Sequence, residues 1–412
     1  MTRQAVVLVG GLGTRLRALG IDRPKPMLEV AGRPFVEHVI RELSAYGIDR
    51  VLLLAGYRGD LVEAHFRGRS VHGVDVEVSV EPAPLGTAGA LTQVADRLDD
   101  TFLMTNGDSL FLADLAPLLA PPLVAGRAGR LLLRRIEDTA RYGRVELSDD
   151  GRIAAFREKA AVAGPGLINA GLYLLRREAV LSTIDRTPSS IEQDVFPALV
   201  GCGALDGITA DGFFLDIGTP ESLASGERSL DAALRRPAAF LDRDGVLNID
   251  GGYTHRVDDL RFTPTAVEAV RLLNRAGYRV VVVTNQAGVS HGYYTEGDVA
   301  DFHRAMRARL LEAGARIDAF YHCPFHPEGK VPGYIGDHPD RKPGSGMIER
   351  AFADWPLDRS ASFLVGDRPT DLQAAEAAGI PGFAIEPNVG DLAAVVGRIL
   401  SSPQHRRAAA PC

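Results

Sequence analysis

The stretch Phe240-Leu241-Asp242-Arg243-Asp244-Gly245-Val246-Leu247-Asn248 constrains this chain more than any other. A short apolar run ends in two aspartates spaced i, i+2, and a glycine comes directly after them. Such a run reads as a buried strand. Both carboxylates then stand at its C-terminal tip, where open α/β sheets bind their ligands. The i, i+2 spacing directs the two side chains to the same side of an extended chain. Carboxylates that close repel each other unless a cation lies between them or one is protonated. The site therefore asks for Mg²⁺, or for one nucleophile and one acid. A lone Asp-x-Asp is most often only a turn, so its weight depends on the rest of the chain.

The residues C-terminal to it repeat the pattern. Tyr278 to Val283 is a β-branched strand that ends in Thr284-Asn285-Gln286, and a hydroxyl at a strand tip can donate to a phosphoryl oxygen. Arg341-Lys342-Pro343 supplies a fixed cation. Phe363 to Gly366 is a further apolar strand, with Asp367 at its tip and a helix from Leu372 to Ala378. Helices are also expected over Ala266–Ala276 and Phe302–Ala313. Three strand tips and one loop thus offer Asp/Asp, Thr, Lys and Asp in chain order.

Those residues occupy less than half of a 412-residue chain, which is too long for one ordinary core and predicts two or three domains. The net charge of −7 argues against an electrostatic nucleic-acid partner. Cys202, Cys323 and Cys412 are few and scattered, which fits a reduced cytoplasmic protein rather than a disulfide framework. The N-terminus has no signal-peptide pattern, and no run approaches the roughly 18 apolar residues of a membrane span.

The N-terminal half carries its own constellation. Ala5 to Val9 reads as a buried strand leading into Gly10-Gly11-Leu12-Gly13-Thr14-Arg15-Leu16. Glycines let backbone N–H groups approach an anion, and a helix start just beyond them favours negative charge. The loop is neither a dinucleotide fingerprint nor a Walker loop. Arg23-Pro24-Lys25-Pro26 then fixes Lys25 between two prolines, which suits a phosphate ligand. A helix over Phe35–Tyr46 and a strand at Val51–Leu54 come next. Gly86-Thr87-Ala88-Gly89-Ala90 is a small-residue loop with room for a flat base or a sugar. Asp108 and Asp216 each end an apolar run; taken singly they read as solvated loop carboxylates, and sharing one metal depends on the fold.

In order, GGLGTRL, RPKPML, GTAGAL, NGDSLF, FREK, INAGLY and FLDIGTPE resemble the sugar-1-phosphate nucleotidylyltransferases over residues 1–234. The resemblance implies a Rossmann-like nucleotidyltransferase fold. It places a nucleoside triphosphate on Gly10, Gly11, Gly13, Thr14, Gly86 and Thr87, with Arg15 and Lys25 on phosphates. Asp108 and Asp216 would hold Mg²⁺, Lys159 the phosphate of the incoming sugar, and Glu158, Asn169 and Gly171 the sugar. The look is nearest to the heptose-1-phosphate guanylyltransferase branch.

LDRDGVLN, VTNQAGV, RKPGSGM and VGDRPTDLQAA resemble the haloacid-dehalogenase phosphatases, within them the heptose-bisphosphate and histidinol-phosphate group. This implies a doubly wound parallel sheet over residues 238–400. Asp242 would be the nucleophile and Asp244 the acid and base. Thr284 and Lys342 would hold the phosphoryl oxygens, and Asp242, Asp367 and the Asp244 carbonyl a second Mg²⁺. Asn285 and Arg341 would meet the sugar phosphate, Arg341 at its second phosphate. Many members carry a zinc loop before Arg-Lys-Pro. Here Phe325 stands where a histidine is expected, and His338 and Asp340 where cysteines are. Cys323, His326, His338 and Asp340 are the donors left for Zn²⁺, and a loop held by packing is the favoured reading.

The expectation is therefore an α/β chain of two enzymes joined near residue 235 by a helix over Glu227–Arg236, with a frayed tail over 401–412. The pair would dephosphorylate a heptose 1,7-bisphosphate and couple the heptose 1-phosphate to GTP. Open alternatives are another sugar, an ADP, CDP or dTDP product, or one domain serving only as a regulatory module. The oligomeric state and any transfer of intermediate between sites are not legible.

Overall fold

The computed structural model describes residues 2–11, 22–139, 143–157 and 164–402. The chain divides into two compact units between Leu230 and Asp231. That point lies a few residues before the expected junction and inside a helix, Pro220–Leu234, that starts earlier than expected. Pro220 opens it because proline at a first helical position loses no internal hydrogen bond.

The first unit is built on a ten-stranded mixed sheet. Gln4–Leu8 lies between Arg50–Ala55 and Thr101–Asn106, parallel to both. Val74–Val80 continues the parallel run beyond Arg50–Ala55. On the other side Gly166–Arg176 turns antiparallel against Thr101–Asn106 and also pairs with Gly129–Ile136. The first strand is thus flanked on both sides by later ones, which opens a crevice at its C-terminal tip. The short Ser109–Leu112 strand pairs with Phe213–Asp216, so the two acidic segments run side by side.

The second unit carries five parallel strands in the order Ala319–Cys323, Arg279–Asn285, Arg236–Leu241, Leu357–Gly366, Gly382–Ala384. Both faces are buried, as a parallel sheet requires. Ala239 and Leu241 pack into a cluster with Val270, Phe302 and Val396, while Ala238 and Phe240 face Met347, Ile348 and Ala374. The period of two thus feeds two cores. Ala266–Arg275 forms as expected, whereas the expected Phe302–Ala313 helix starts earlier and spans Glu296–Glu312. Its start is fixed by a capping box of Thr295 and Asp298, whose side chains satisfy reciprocal backbone donors. Again the first strand lies between later ones, and Asp242 stands at that reversal. No helix among the described residues is long and apolar enough to cross a membrane.

Candidate active sites

In the second unit, Asp242 comes directly after its strand and donates its backbone N–H to the Val365 carbonyl at 3.0 Å. The Lys342 Nζ lies 2.6 Å from Asp242 Oδ1 and 2.6 Å from Asp371 Oδ1, and donates to the Val283 carbonyl at 2.8 Å. Asn285 fixes this lysine from behind. Its amide donates to the Lys342 carbonyl and accepts the Lys342 N–H, both at 3.0 Å. Expected at the sugar phosphate, Asn285 has its amide committed to the lysine backbone.

Burial pushes the Asp242 carboxyl up to about 7, against the pull of Lys342. Burial works against the Lys342 charge, yet Asp242 and Asp371 hold its ammonium above the ordinary value. Asp242, Asp367 and Asp371 bring one carboxylate oxygen each within 4.8 Å of one another. Asp367 is likewise raised, by burial and then by Asp371, and its Oδ1 is buried with no hydrogen-bond partner. Gly245 has φ +83°, and a Cβ there would come 2.6 Å from Asp367 Oδ2. Two carboxylates on one ammonium, with a third beside them holding an orphaned oxygen, fit a hard divalent cation with oxygen ligands.

Asp371 is a member of this group to which the sequence alone assigned no role. Asp244, whose carbonyl was expected at the metal and whose carboxylate was expected as acid and base, has that carboxylate held by three side chains. It accepts from Arg243 at 2.8–3.0 Å, from Asn248 at 3.0 Å and from Gln286 at 2.9 Å. Arg243 is fully buried, lies over the Phe302 ring at 4.6 Å and donates to the Thr254 carbonyl at 2.7 Å. Asp242, Asp244, Thr284, Asn285, Arg341 and Lys342 all line one cavity of about 540 Å³. Arg368, another residue without a sequence-based role, lines it too.

The four candidate zinc donors are not gathered in this way. Among the described residues the acidic group above is the one whose ligand atoms converge. Cys323 is buried in the core, and burial raises its thiol pKa. The His338 ring lies flat on Phe325, with centroids 4.3 Å apart and planes 7° from parallel. Asp340 is taken by Arg350 at 2.6 Å, and His326 lies against the His291 ring. These residues do not fit a zinc site.

In the first unit, Gly10 and Gly11 lie just beyond the central strand, and Gly10 packs so closely on Gly56 that a Cβ would come 3.2 Å from the Gly56 nitrogen. Lys25 sits in a short turn, Lys25–Met27, with its Nζ 3.8 Å from Asp108 Oδ2. Asp108 and Asp216 do meet. The Ile217 N–H donates to the Asp108 carbonyl at 3.0 Å, and Ser109 pairs with Asp216 in the ribbon. Burial, then Asp216, push the Asp108 carboxyl up, and Lys25 opposes them. Asn169 donates to Glu192 and to the Tyr173 hydroxyl, both at 2.8 Å, and accepts the Gly171 N–H at 2.9 Å. Glu192 joins this group through Asn169 and the Tyr173 hydroxyl, and the sequence alone assigned it no role because it lies in none of the motifs. Thr87 accepts the Ile191 N–H at 2.8 Å, and Gly86 at φ +78° packs against the Ser189 carbonyl, so the expected small-residue loop is the first turn of the helix Gly86–Thr92 and anchors the segment that carries Glu192. Gly13, Thr14, Arg15, Glu158 and Lys159 lie outside the described residues.

Fold and sites together define a two-part enzyme, a nucleotide-transferring α/β unit succeeded by a phosphatase-type α/β unit. Residues 4–232 match the family model described as Nucleotidyl transferase, and residues 340–398 the one described as HAD-hydrolase-like. The chain belongs to the nucleotidyl transferase family, with a haloacid-dehalogenase-like hydrolase in its C-terminal part. Over 155 residues it is 48% identical to the D-glycero-beta-D-manno-heptose-1,7-bisphosphate 7-phosphatase of Rhodopseudomonas palustris, spanning 38% of this chain and 86% of that protein. Over 233 residues it is 40% identical to the mannose-1-phosphate guanylyltransferase of Mycobacterium tuberculosis, spanning 55% of this chain and 64% of that protein. The match therefore leaves about a third of the transferase relative uncovered. The crystal structure of HddC from Yersinia pseudotuberculosis, also solved complexed with GMP-PN, covers 56% of this chain and 100% of its own, with a TM-score of 0.50 and 27% identity.

Proposed function

We propose that this chain makes a nucleotide-activated heptose in two consecutive steps. The second unit removes the 7-phosphate of D-glycero-D-manno-heptose 1,7-bisphosphate. The first couples the resulting heptose 1-phosphate to GTP, releasing pyrophosphate. One observation carries this reading. The Asp242–Lys342–Asp371 site and the Lys25–Asp108–Asp216 site stand on one chain, and their likenesses are to a bisphosphate phosphatase and to guanylyltransferases.

In the phosphatase step an Asp242 oxygen attacks the phosphorus, the ester bond breaks, and Asp244 gives the leaving alkoxide its proton. Asp244 then takes a proton from the water that splits the aspartyl phosphate. Lys342 and Thr284 hold the phosphoryl oxygens. Asp242, Asp367 and Asp371, with the Asp244 carbonyl, would hold Mg²⁺, which supplies charge neutralisation at the phosphoryl group. In the transfer step the sugar phosphate oxygen attacks the α-phosphorus. Lys25 and Arg15 stabilise the triphosphate, and Asp108 and Asp216 would hold the Mg²⁺ that neutralises it.

Glu81 supports guanine as the base. Its Oε1 faces Gly10, 3.4 Å from where a Cβ there would sit, and its Oε2 accepts the Leu85 N–H at 3.1 Å. A carboxylate is an acceptor-only group, and guanine presents adjacent N–H donors on one edge. The test supplies heptose 1-phosphate, as each anomer, with Mg²⁺ and each nucleoside triphosphate in turn. Pyrophosphate release at least 10-fold faster with GTP is expected. An equal or faster rate with ATP, CTP or dTTP would move the product to the corresponding nucleotide.

A further inference from the structure

The segment between Cys323 and Arg341 falls where the resemblance implies a zinc loop, and its side chains are engaged with one another. Phe325 and His338 face each other flat, with centroids 4.3 Å apart. The His338 Nδ1 accepts the Asp340 N–H at 3.2 Å, and the His338 carbonyl accepts the Arg341 N–H at 2.9 Å. The Asp340 side chain, almost fully buried, is closed off by Arg350 at 2.6 Å. The Phe325 carbonyl in turn accepts from the Arg341 guanidinium at 3.2 Å. The stack thus bears on Arg341, which lines the cavity, through the Phe325 and His338 carbonyls and the neighbouring Asp340.

From this geometry we infer that the Phe325–His338 stack is an aromatic clasp that takes the place of a structural zinc and positions Arg341 for the second phosphate of the substrate. The inference rests on the phosphatase reading of the cavity. Stacked rings hold two loop segments at fixed separation and offset, as a shared metal would, but without thiolates. Cys323 is left as a buried apolar thiol in the core below the loop. Phe325 and His338 are positioning residues: they act on substrate only through Arg341.

The full chain, expressed in zinc-supplemented medium, is assayed for zinc by mass spectrometry and for phosphate release after chelation and return of Mg²⁺. Below 0.1 zinc per chain and unchanged activity are expected; one zinc per chain, with activity lost on chelation, would overturn the clasp. Phe325→Ala and His338→Ala should raise KM for a sugar bisphosphate at least 10-fold. Turnover of 4-nitrophenyl phosphate, which has no second phosphate, should stay within two-fold. His338→Phe keeps a stack and removes a metal ligand, so it should stay within three-fold of wild type on both. Failure of His338→Phe to match, or equal loss on both substrates, would contradict the positioning role. A wild-type chain inactive on both substrates would sink the phosphatase reading instead. The clasp would then stand or fall on the zinc content and on whether chelation lowers the melting temperature.

Discussion

Lys342 is the residue on which the second site turns. It is a buried ammonium between two buried carboxylates, and removing one partner of such a group costs about 3–5 kcal/mol because the other charges stay buried. Lys342→Met should therefore lower thermal stability, and Mg²⁺ should restore more of it than in wild type, because the cation replaces the missing charge. Equal Mg²⁺ effects in the two proteins, read by calorimetry, would separate the carboxylates from any metal site. Gly245 makes a second residue-scale test. Its φ of +83° and the 2.6 Å approach of a Cβ to Asp367 leave no room for a side chain. Gly245→Ala should reduce phosphatase activity at least 100-fold at fixed Mg²⁺, with part of the loss recovered at high Mg²⁺. At this scale the sequence was legible where a residue ends a strand. Asp242, Thr284 and Asp367 were readable because each comes at the end of an apolar run, where a strand of an open sheet meets its ligand site. Asp371 was not, since it reaches Lys342 from the first turn of the helix Pro369–Ala377, and only the fold sets that approach. Glu192 was hidden for the same reason, as it meets Asn169 across the unit.

Among the elements, apolar runs marked the central parallel strands Gln4–Leu8, Arg50–Ala55, Arg236–Leu241 and Arg279–Asn285 to within a residue or two, because a parallel sheet buried on both faces needs uninterrupted hydrophobic sequence, whereas Leu357–Gly366 starts six residues before its apolar run, in the polar stretch Asp358-Arg359-Ser360. Helix starts were less legible. The Glu296–Glu312 helix begins in a polar stretch, and only the Thr295 and Asp298 cap marks it. The helix Phe35–Ser44 offers a pH test. His38 is buried on it, bonded through Nε2 to the Val30 carbonyl at 2.8 Å, and burial lowers its pKa to about 4 from 6.5. The folded chain then binds this proton less tightly than the unfolded chain does. The contribution of neutral His38 is fully present above about pH 6.5 and is lost as pH falls toward 4. At about 1.4 kcal/mol per pKa unit the loss is about 3–4 kcal/mol. His38→Gln should flatten the fall in stability of the first unit over that pH window. A parallel slope in the variant would assign the effect to other groups.

For the whole molecule the two activities should be separable, because each site is complete within its own unit among the residues named. Asp242→Asn should abolish phosphate release and leave nucleotidyl transfer from supplied heptose 1-phosphate within two-fold. Lys25→Ala should do the reverse. Loss of both activities from either change, in a folded protein, would mean the sites are not independent. That two enzymes share this chain was legible in the ordered motifs, since each set falls within one compact unit. The division between Leu230 and Asp231 falls within several residues of the expected 235, inside the helix Pro220–Leu234, which runs through it without a break in composition.

The most direct measurement gives the intact chain heptose 1,7-bisphosphate, Mg²⁺ and each nucleoside triphosphate in turn, and tracks inorganic phosphate and sugar nucleotide by mass. Phosphate release together with GDP-heptose is the predicted result, with no sugar nucleotide when Asp242→Asn replaces the wild type. Neither phosphate nor any sugar nucleotide from the wild type would contradict it and remove heptose from the function of this chain.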